Sequence, residues 1–191
     1  PYGAYLPGGA IWHSESNEGI WAHVRGLHVV VPGTPEDAAG LLWSAIRGDD
    51  PVLFLLPKHV FRKRHLPPPA LPAVPIGKAA IRRPGGDVTL VTFGNCLELA
   101  DAAAATLADE GIDVEIVDLR SVQPLDMETI AGSVARTGRL VVVHEDSRTT
   151  GIGQAIVAEM VSTPERFALF YAAPQLVARQ DTYIGYHPTL E

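Results

Sequence analysis

His13 opens a polar run, "HSESNE", that reaches Glu18, with Gly8 and Gly9 ahead of it and Trp12 and Trp21 on either side. An imidazole titrates near neutrality, so a histidine walled by large aromatics can give or take a proton at working pH. Glu15 and Glu18 are close enough in sequence to orient such a ring, and the glycine pair permits close backbone approach. The plainer alternative, a hydrogen-bonded structural or surface histidine, stays open on these residues alone. No nucleophile elbow, HExxH pair or phosphate-loop motif competes with His13.

Two further stretches can bear chemistry. In "VVVHEDSRTTGIGQAI" a strand pattern ends at His144–Glu145, and Gly151 and Gly153 precede a helix whose first amides can hold an anion. Ile156 breaks the dinucleotide fingerprint, so a glycine-permitted turn with close helix packing is the stronger reading. In "DLRSVQPLD", Arg120 follows a strand pattern and either grips a carboxylate or braces the turn against Asp118 or Asp126.

These residues need elements to carry them. His28–Val31 is a β-branched run stopped by Pro32 and Gly33, and Thr34, Pro35 and Asp37 make a helix start. The helix runs to Arg47, and Val52–Leu56 forms the next strand, parallel to the first. Further strands are expected at 87–92, 114–117, 140–144 and 168–171. Helices are expected after Asn95 as cap and ending at Gly111, over 127–135 and over 154–161. Apolar strands alternating with helices describe a doubly wound α/β domain with a mostly parallel sheet. Its ligands bind beyond the C-terminal strand ends. "LPPPALPAVP" has five prolines in ten residues and reads as an extended linker over 66–76.

Composition narrows the classes. Hydrophobic residues make up 47% of the 191, enough for a substantial core, and the net charge of −7 argues against general nucleic-acid binding. The basic run "KHVFRKRH" (58–65) reads as a solvated or partner-facing surface. Cys96 is the sole cysteine, so no internal disulfide or cysteine zinc cluster can form. No apolar run nears the ~20 residues of a membrane span, which leaves a soluble intracellular protein as the expectation.

Taken in order, "HSESNEGIWAHVRGLHVVVPGTPEDAAGLLWSAIRGDDPVLFLLPKHVFR" (13–62), "PIGKA" (75–79), "VTLVTFG" (88–94), "DLRSVQPLD" (118–126) and "GRLVVVHE" (138–145) closely resemble the beta subunit of thiamine diphosphate-dependent 2-oxo acid dehydrogenases. The resemblance implies a transketolase C-terminal-like domain over 77–191, preceded over 1–65 by part of a second α/β domain that binds the cofactor's aminopyrimidine. It implies that the pyrimidine-contacting glutamate lies upstream of Pro1. His13 matches the histidine of the family's "HSQ" motif, with Glu15 in place of Gln, which implies a catalytic role. "SAIRGDDP" is similar to a potassium-binding loop, with the carbonyls of Ala45 and Gly48 and the side chain of Asp50 as matching ligands; a plain helix end fits those residues equally well.

The implied reaction is oxidative decarboxylation of a 2-oxo acid with acyl transfer to a lipoyl group. Thiamine diphosphate and magnesium would be held mainly by an alpha subunit. A second beta subunit and a lipoyl-bearing acyltransferase core are the other implied partners. The implied location is cytoplasmic, or the mitochondrial matrix in a eukaryote. "PKHVFR" leans towards branched-chain members, although Leu56 stands where many relatives carry glutamate. An acetoin dehydrogenase-type subunit and a non-catalytic assembly module of the same fold are the alternatives.

Overall fold

The computed structural model describes residues 1–4, 9–62, 72–187 and 189. Gly8, residues 63–65 of the basic run and residues 66–71 of the proline-rich stretch lie outside them. The first elements are α1 (Ala10–His13), α2 (Glu18–Ala22), β1 (His28–Val30), α3 (Pro35–Arg47), β2 (Val52–Phe54) and α4 (Lys58–Arg62). α3 starts as its sequence predicts: the Thr34 side chain accepts the Asp37 N–H at 3.1 Å, Pro35 opens the helix, and acidic Glu36 and Asp37 face the positive end of the dipole. β1 and β2 pair in parallel, His28 opposite Val52 and Val30 opposite Phe54. Leu41 and Val30 are buried against Val74, where the chain returns across α3. A Cβ on Gly40 would meet the Pro72 carbonyl oxygen at 2.7 Å, so that crossing requires glycine.

The remainder builds a five-stranded sheet from β3 (Ala80–Arg83), β4 (Val88–Thr92), β5 (Val114–Asp118), β7 (Leu140–Ser147) and β8 (Gln175–Arg179). Between them come α5 (Cys96–Asp109), the short β6 (Ser121–Gln123), α6 (Met127–Thr137), α7 (Ile152–Met160) and α8 (Pro164–Phe167). The order is β3-β5-β4-β7-β8, parallel except for the antiparallel edge strand β3. Leu97, Ala100 and Ala104 of α5 pack on Leu90 and Ile116 on one face of the sheet. Ile130 and Val134 of α6 and Ile156 and Met160 of α7 pack with Val91 and Val142 on the other. Helices on both faces of a mainly parallel sheet make the expected doubly wound α/β fold. Gly111 (φ +80) and Gly138 (φ +68) take the left-handed conformation just past α5 and α6.

Several features differ from the sequence reading, the unanticipated edge strand β3 among them. Residues 168–171 are not a strand. Thr163 caps α8 through the Arg166 N–H, and Ala168, Leu169 and Phe170 continue as turns bonded to Pro164, Arg166 and Phe167; the strand comes later, as β8. Asn95 precedes α5 but makes no cap bond, its amide being engaged elsewhere. β6 was not anticipated. It pairs antiparallel with β1, so the sheet β2-β1-β6 takes its third strand from the C-terminal half of the chain. Arg120, at φ 59, turns the chain from β5 into β6.

Candidate active site

His13 ends α1, one helical turn long, with its N–H on the Gly9 carbonyl at 3.0 Å. The imidazole is exposed. Trp12 is 76% and Trp21 40% exposed, so neither is packed into a closed apolar pocket of this chain. Gly9 is helical (φ −69), and the positive φ falls on Ala10 instead, so the described glycine is not used for a left-handed bend.

Neither glutamate is engaged with His13 as the sequence suggested. Glu15 accepts from Arg179 Nη2 at 3.0 Å, 164 positions away. Glu18 is fully buried, with the Tyr2 hydroxyl and Ser16 as neighbours, and no hydrogen bond of full geometry reaches either carboxylate oxygen among the described residues. Burial, with Asp146 adding repulsion, pushes the Glu18 carboxyl up to about 8. Glu145 and Asp146, both half-buried, are raised as well, mainly by burial.

α5 leaves β4 on one face and α7 leaves β7 on the other, so the topological switch point lies between the ends of β4 and β7. This crevice is filled by the chain's own first residues. Glu145 Oε1 accepts the Ala4 N–H at 3.0 Å, and Glu145 Oε2 accepts the Asn95 amide at 2.9 Å. Asn95 also donates to the Ala4 carbonyl, and Lys58 Nζ donates to the Gly3 carbonyl at 2.9 Å. Gly3 has φ +77, and a Cβ there would lie 2.4 Å from Asn95 Nδ2. Nothing local in sequence marks Tyr2, Gly3, Asn95 or Glu145 as partners. Only the rule that ligands gather at strand ends pointed to the place.

Gly151 and Gly153 serve packing. A Cβ on either would come within 2.7 Å of the His144 ring, which is buried beneath them, and burial holds that imidazole down at about 4. The Thr150 N–H at the head of α7 already donates to Gln154 Oε1. Arg120 is a brace: Nη2 meets Asp37 Oδ1 at 2.8 Å, joining α3 to the β5–β6 turn, while its backbone N–H donates to Asp118. Burial first, and Asp37 second, push the Asp118 carboxyl up to about 7.

Around the suggested potassium ligands, Gly48 N–H donates to the Ser44 carbonyl at the end of α3. The Ala45 carbonyl oxygen lies 4.0 Å from where a Gly48 Cβ would be, and Asp50 stands 4.0 Å from His28. His28, Ser44, Gly48, Asp50, Val52 and Ile76 line an open recess of about 200 Å³ there. Among the described residues no group of three or more His, Cys, Asp or Glu side chains is arranged to hold a metal ion, and no helix is long and apolar enough to cross a membrane.

The doubly wound sheet and its strand-end crevice define a transketolase-type domain. Residues 77–191 match the family model "Transketolase, C-terminal domain", and the chain belongs to that family. It is 43% identical over 95% of its length to the acetoin:2,6-dichlorophenolindophenol oxidoreductase subunit beta of Cupriavidus necator, covering 53% of that protein. It is 41% identical over its whole length to the 2-oxoisovalerate dehydrogenase subunit beta of Bacillus subtilis, covering 58%. The 3-methyl-2-oxobutanoate dehydrogenase subunit beta of Mycobacterium tuberculosis is 47% identical over 80% of this chain and 44% of its own. Among solved structures, a split-gene transketolase described as an inactive beta4 tetramer superposes with a TM-score of 0.74 at 26% identity, over 89% of this chain and 54% of that one. The chain spans about half the length of the curated relatives it matches.

Proposed function

We propose that these residues form the C-terminal portion of the beta subunit of a thiamine diphosphate-dependent 2-oxo acid dehydrogenase. It acts on a branched-chain 2-oxo acid or pyruvate and passes the acyl group to a lipoyl arm. An acetoin-oxidising enzyme of the same build is the closest variant, given the name of the Cupriavidus relative. In this reading residues 1–65 belong to the pyrimidine-binding domain, 66–76 link, and 77–191 form the second domain. The single thiol, on buried Cys96, suits the reducing cytoplasm, or the mitochondrial matrix in a eukaryote.

The observation that carries the proposal is the exposed imidazole of His13, with exposed Trp12 next to it in sequence, in a segment similar along its length to dehydrogenase beta subunits. Flat apolar faces and a titratable ring fit one wall of a thiamine site that a second polypeptide closes. In this reading the diphosphate and magnesium are held mainly by an alpha subunit. When bound, thiamine diphosphate supplies the electron sink for decarboxylation. His13 moves a proton between a ring nitrogen and the reacting group, and Trp12 and Trp21 exclude water once the alpha subunit covers them. The carbonyl-rich end of α3, with Ala45, Gly48 and Asp50, is assigned a potassium ion, since hard oxygens and a helix C-terminus both favour a cation. A second beta subunit and a lipoyl-bearing core complete the assembly.

A second reading, a non-catalytic assembly module, is favoured by one observation: the structural relative is described as inactive. Carbon dioxide release separates the two. Assembled with its alpha partner, and supplied with thiamine diphosphate and magnesium, the dehydrogenase turns over at least one 2-oxo acid. The module assembles and releases none.

A further inference from the structure

Arg179 closes β8 and turns its guanidinium toward the His13 loop. Nη2 donates to Glu15 Oε2 at 3.0 Å and to Ser147 Oγ at 2.8 Å, and Nη1 donates to the Thr182 carbonyl. The Arg179 carbonyl accepts from the Arg148 N–H at 2.9 Å, which keeps the stem of the side chain on the β7–β8 pair. A second contact lies just beyond: a Cβ on Gly19 would meet the Thr150 carbonyl oxygen at 3.1 Å, so the start of α2 rests on the loop after β7.

α1 has four residues, and a single helical turn does not hold itself in water. The position of His13 is therefore set by contacts around it: buried Ala10 within α1, the Gly3 N–H on the Glu15 carbonyl at 3.3 Å, and the side-chain pair of Glu15 with Arg179. Glu15 comes two residues later, and its carboxylate offers the guanidinium an anion where the glutamine of the "HSQ" motif offers a neutral acceptor. The guanidinium fork is directional, so the pair fixes orientation as well as proximity.

We propose that Arg179 is a positioning residue for His13, clasping the His13 loop through Glu15 to the C-terminal ends of β7 and β8. The proposal rests on the reading of His13 as a proton-handling group and extends it to the far end of the chain.

The test uses the full chain and four variants: Arg179→Met, Arg179→Lys, Glu15→Gln, and the swap Glu15→Arg with Arg179→Glu. Hydrogen exchange of residues 13–18 and the His13 ring resonances are followed without cofactor, and turnover is measured in the assembled enzyme. Arg179→Met is expected to speed exchange in that loop about fivefold or more, to move the His13 signals, and to lower kcat more than it changes KM. Glu15→Gln and Arg179→Lys fall between, and the swap restores the wild-type loop. Unchanged exchange and unchanged His13 signals in Arg179→Met overturn the clasp, as does a swap that restores neither. A wild-type assembly without turnover, alongside the expected exchange and resonance changes, refutes the dehydrogenase reading and leaves the clasp standing.

Discussion

The Asn95 amide donates to Glu145 Oε2 at 2.9 Å across the ends of β4 and β7, and Glu145 Oε1 takes the Ala4 N–H at 3.0 Å. The crevice where open α/β sheets bind ligands is thereby closed by a peptide of the same chain. His13, the candidate for proton transfer, ends the short helix α1 and is exposed.

Gly3 makes that closure possible, and its substitution is the sharpest structural test. Gly3→Ala combines a left-handed backbone with a Cβ placed 2.4 Å from Asn95 Nδ2 and 2.5 Å from Glu145 Oε2. The expected loss is about 2–4 kcal/mol by urea unfolding. Gly26→Ala is the control, because its φ is also +77 but no atom lies within 4 Å of the added carbon. There only the backbone cost of about 1 kcal/mol applies. Equal losses at the two positions contradict the packing account.

Glu18 gives a pH dependence whose sign follows from its raised pKa. From the ordinary 4.5 up to about 8 the folded chain holds a proton that the unfolded chain releases, so stability falls as pH rises through that range. Asp118, pushed up to about 7, acts in the same direction up to that pH. His144 acts oppositely but only between about 4 and 6.5, where the unfolded state binds the extra proton. The window from pH 6.5 to 8.5 is therefore dominated by the carboxyl effect, with the buried Cys96 thiol, pushed up to about 12, adding in the same direction near its upper end. The melting temperature is expected to drop across it, and Glu18→Gln to flatten the drop and raise the Tm at pH 8.5. A chain of this size responds by about 2–4 °C per kcal/mol. A Tm that climbs over this window in the wild-type chain refutes the assignment.

Gly153→Ala is expected to destabilise by about 1–3 kcal/mol, because the new carbon would fall 2.7 Å from His144 Nε2 and 2.4 Å from Leu176 Cδ1. Calorimetry with NAD or ATP is expected to show no micromolar binding to the wild-type chain, since His144 lies beneath the glycines that a nucleotide phosphate would approach. Micromolar binding by either nucleotide, or an unaffected Gly153→Ala chain, counts against the packing role.

Much of the fold was legible because its signals are local. Thr34, Pro35 and Asp37 announce α3 within four residues, and Gly111 stops α5 where a left-handed residue is needed. The failures have equally local causes. The four apolar residues at 168–171 are too few to separate a strand from a turn, and the preceding Thr163–Pro164 helix start decided the outcome. β3 and β6 are short pieces whose pairing depends on β5 and β1, and neither carries a burial period of its own. The candidate site divides in the same way. His13 stood out by type and context, whereas Arg179 and Glu145 act through partners 164 and 141 positions distant, which no local pattern encodes.

His13 is exposed, so removing its ring should leave the fold intact while taking away the proposed proton carrier. The direct measurement is the rate of carbon dioxide release from a 2-oxo acid by the alpha–beta assembly, wild type against His13→Gln, with assembly and melting temperature checked in parallel. The expected result is a fall in kcat of about 10²–10⁴-fold with both checks unchanged. Turnover at the wild-type rate in an intact His13→Gln assembly contradicts the account.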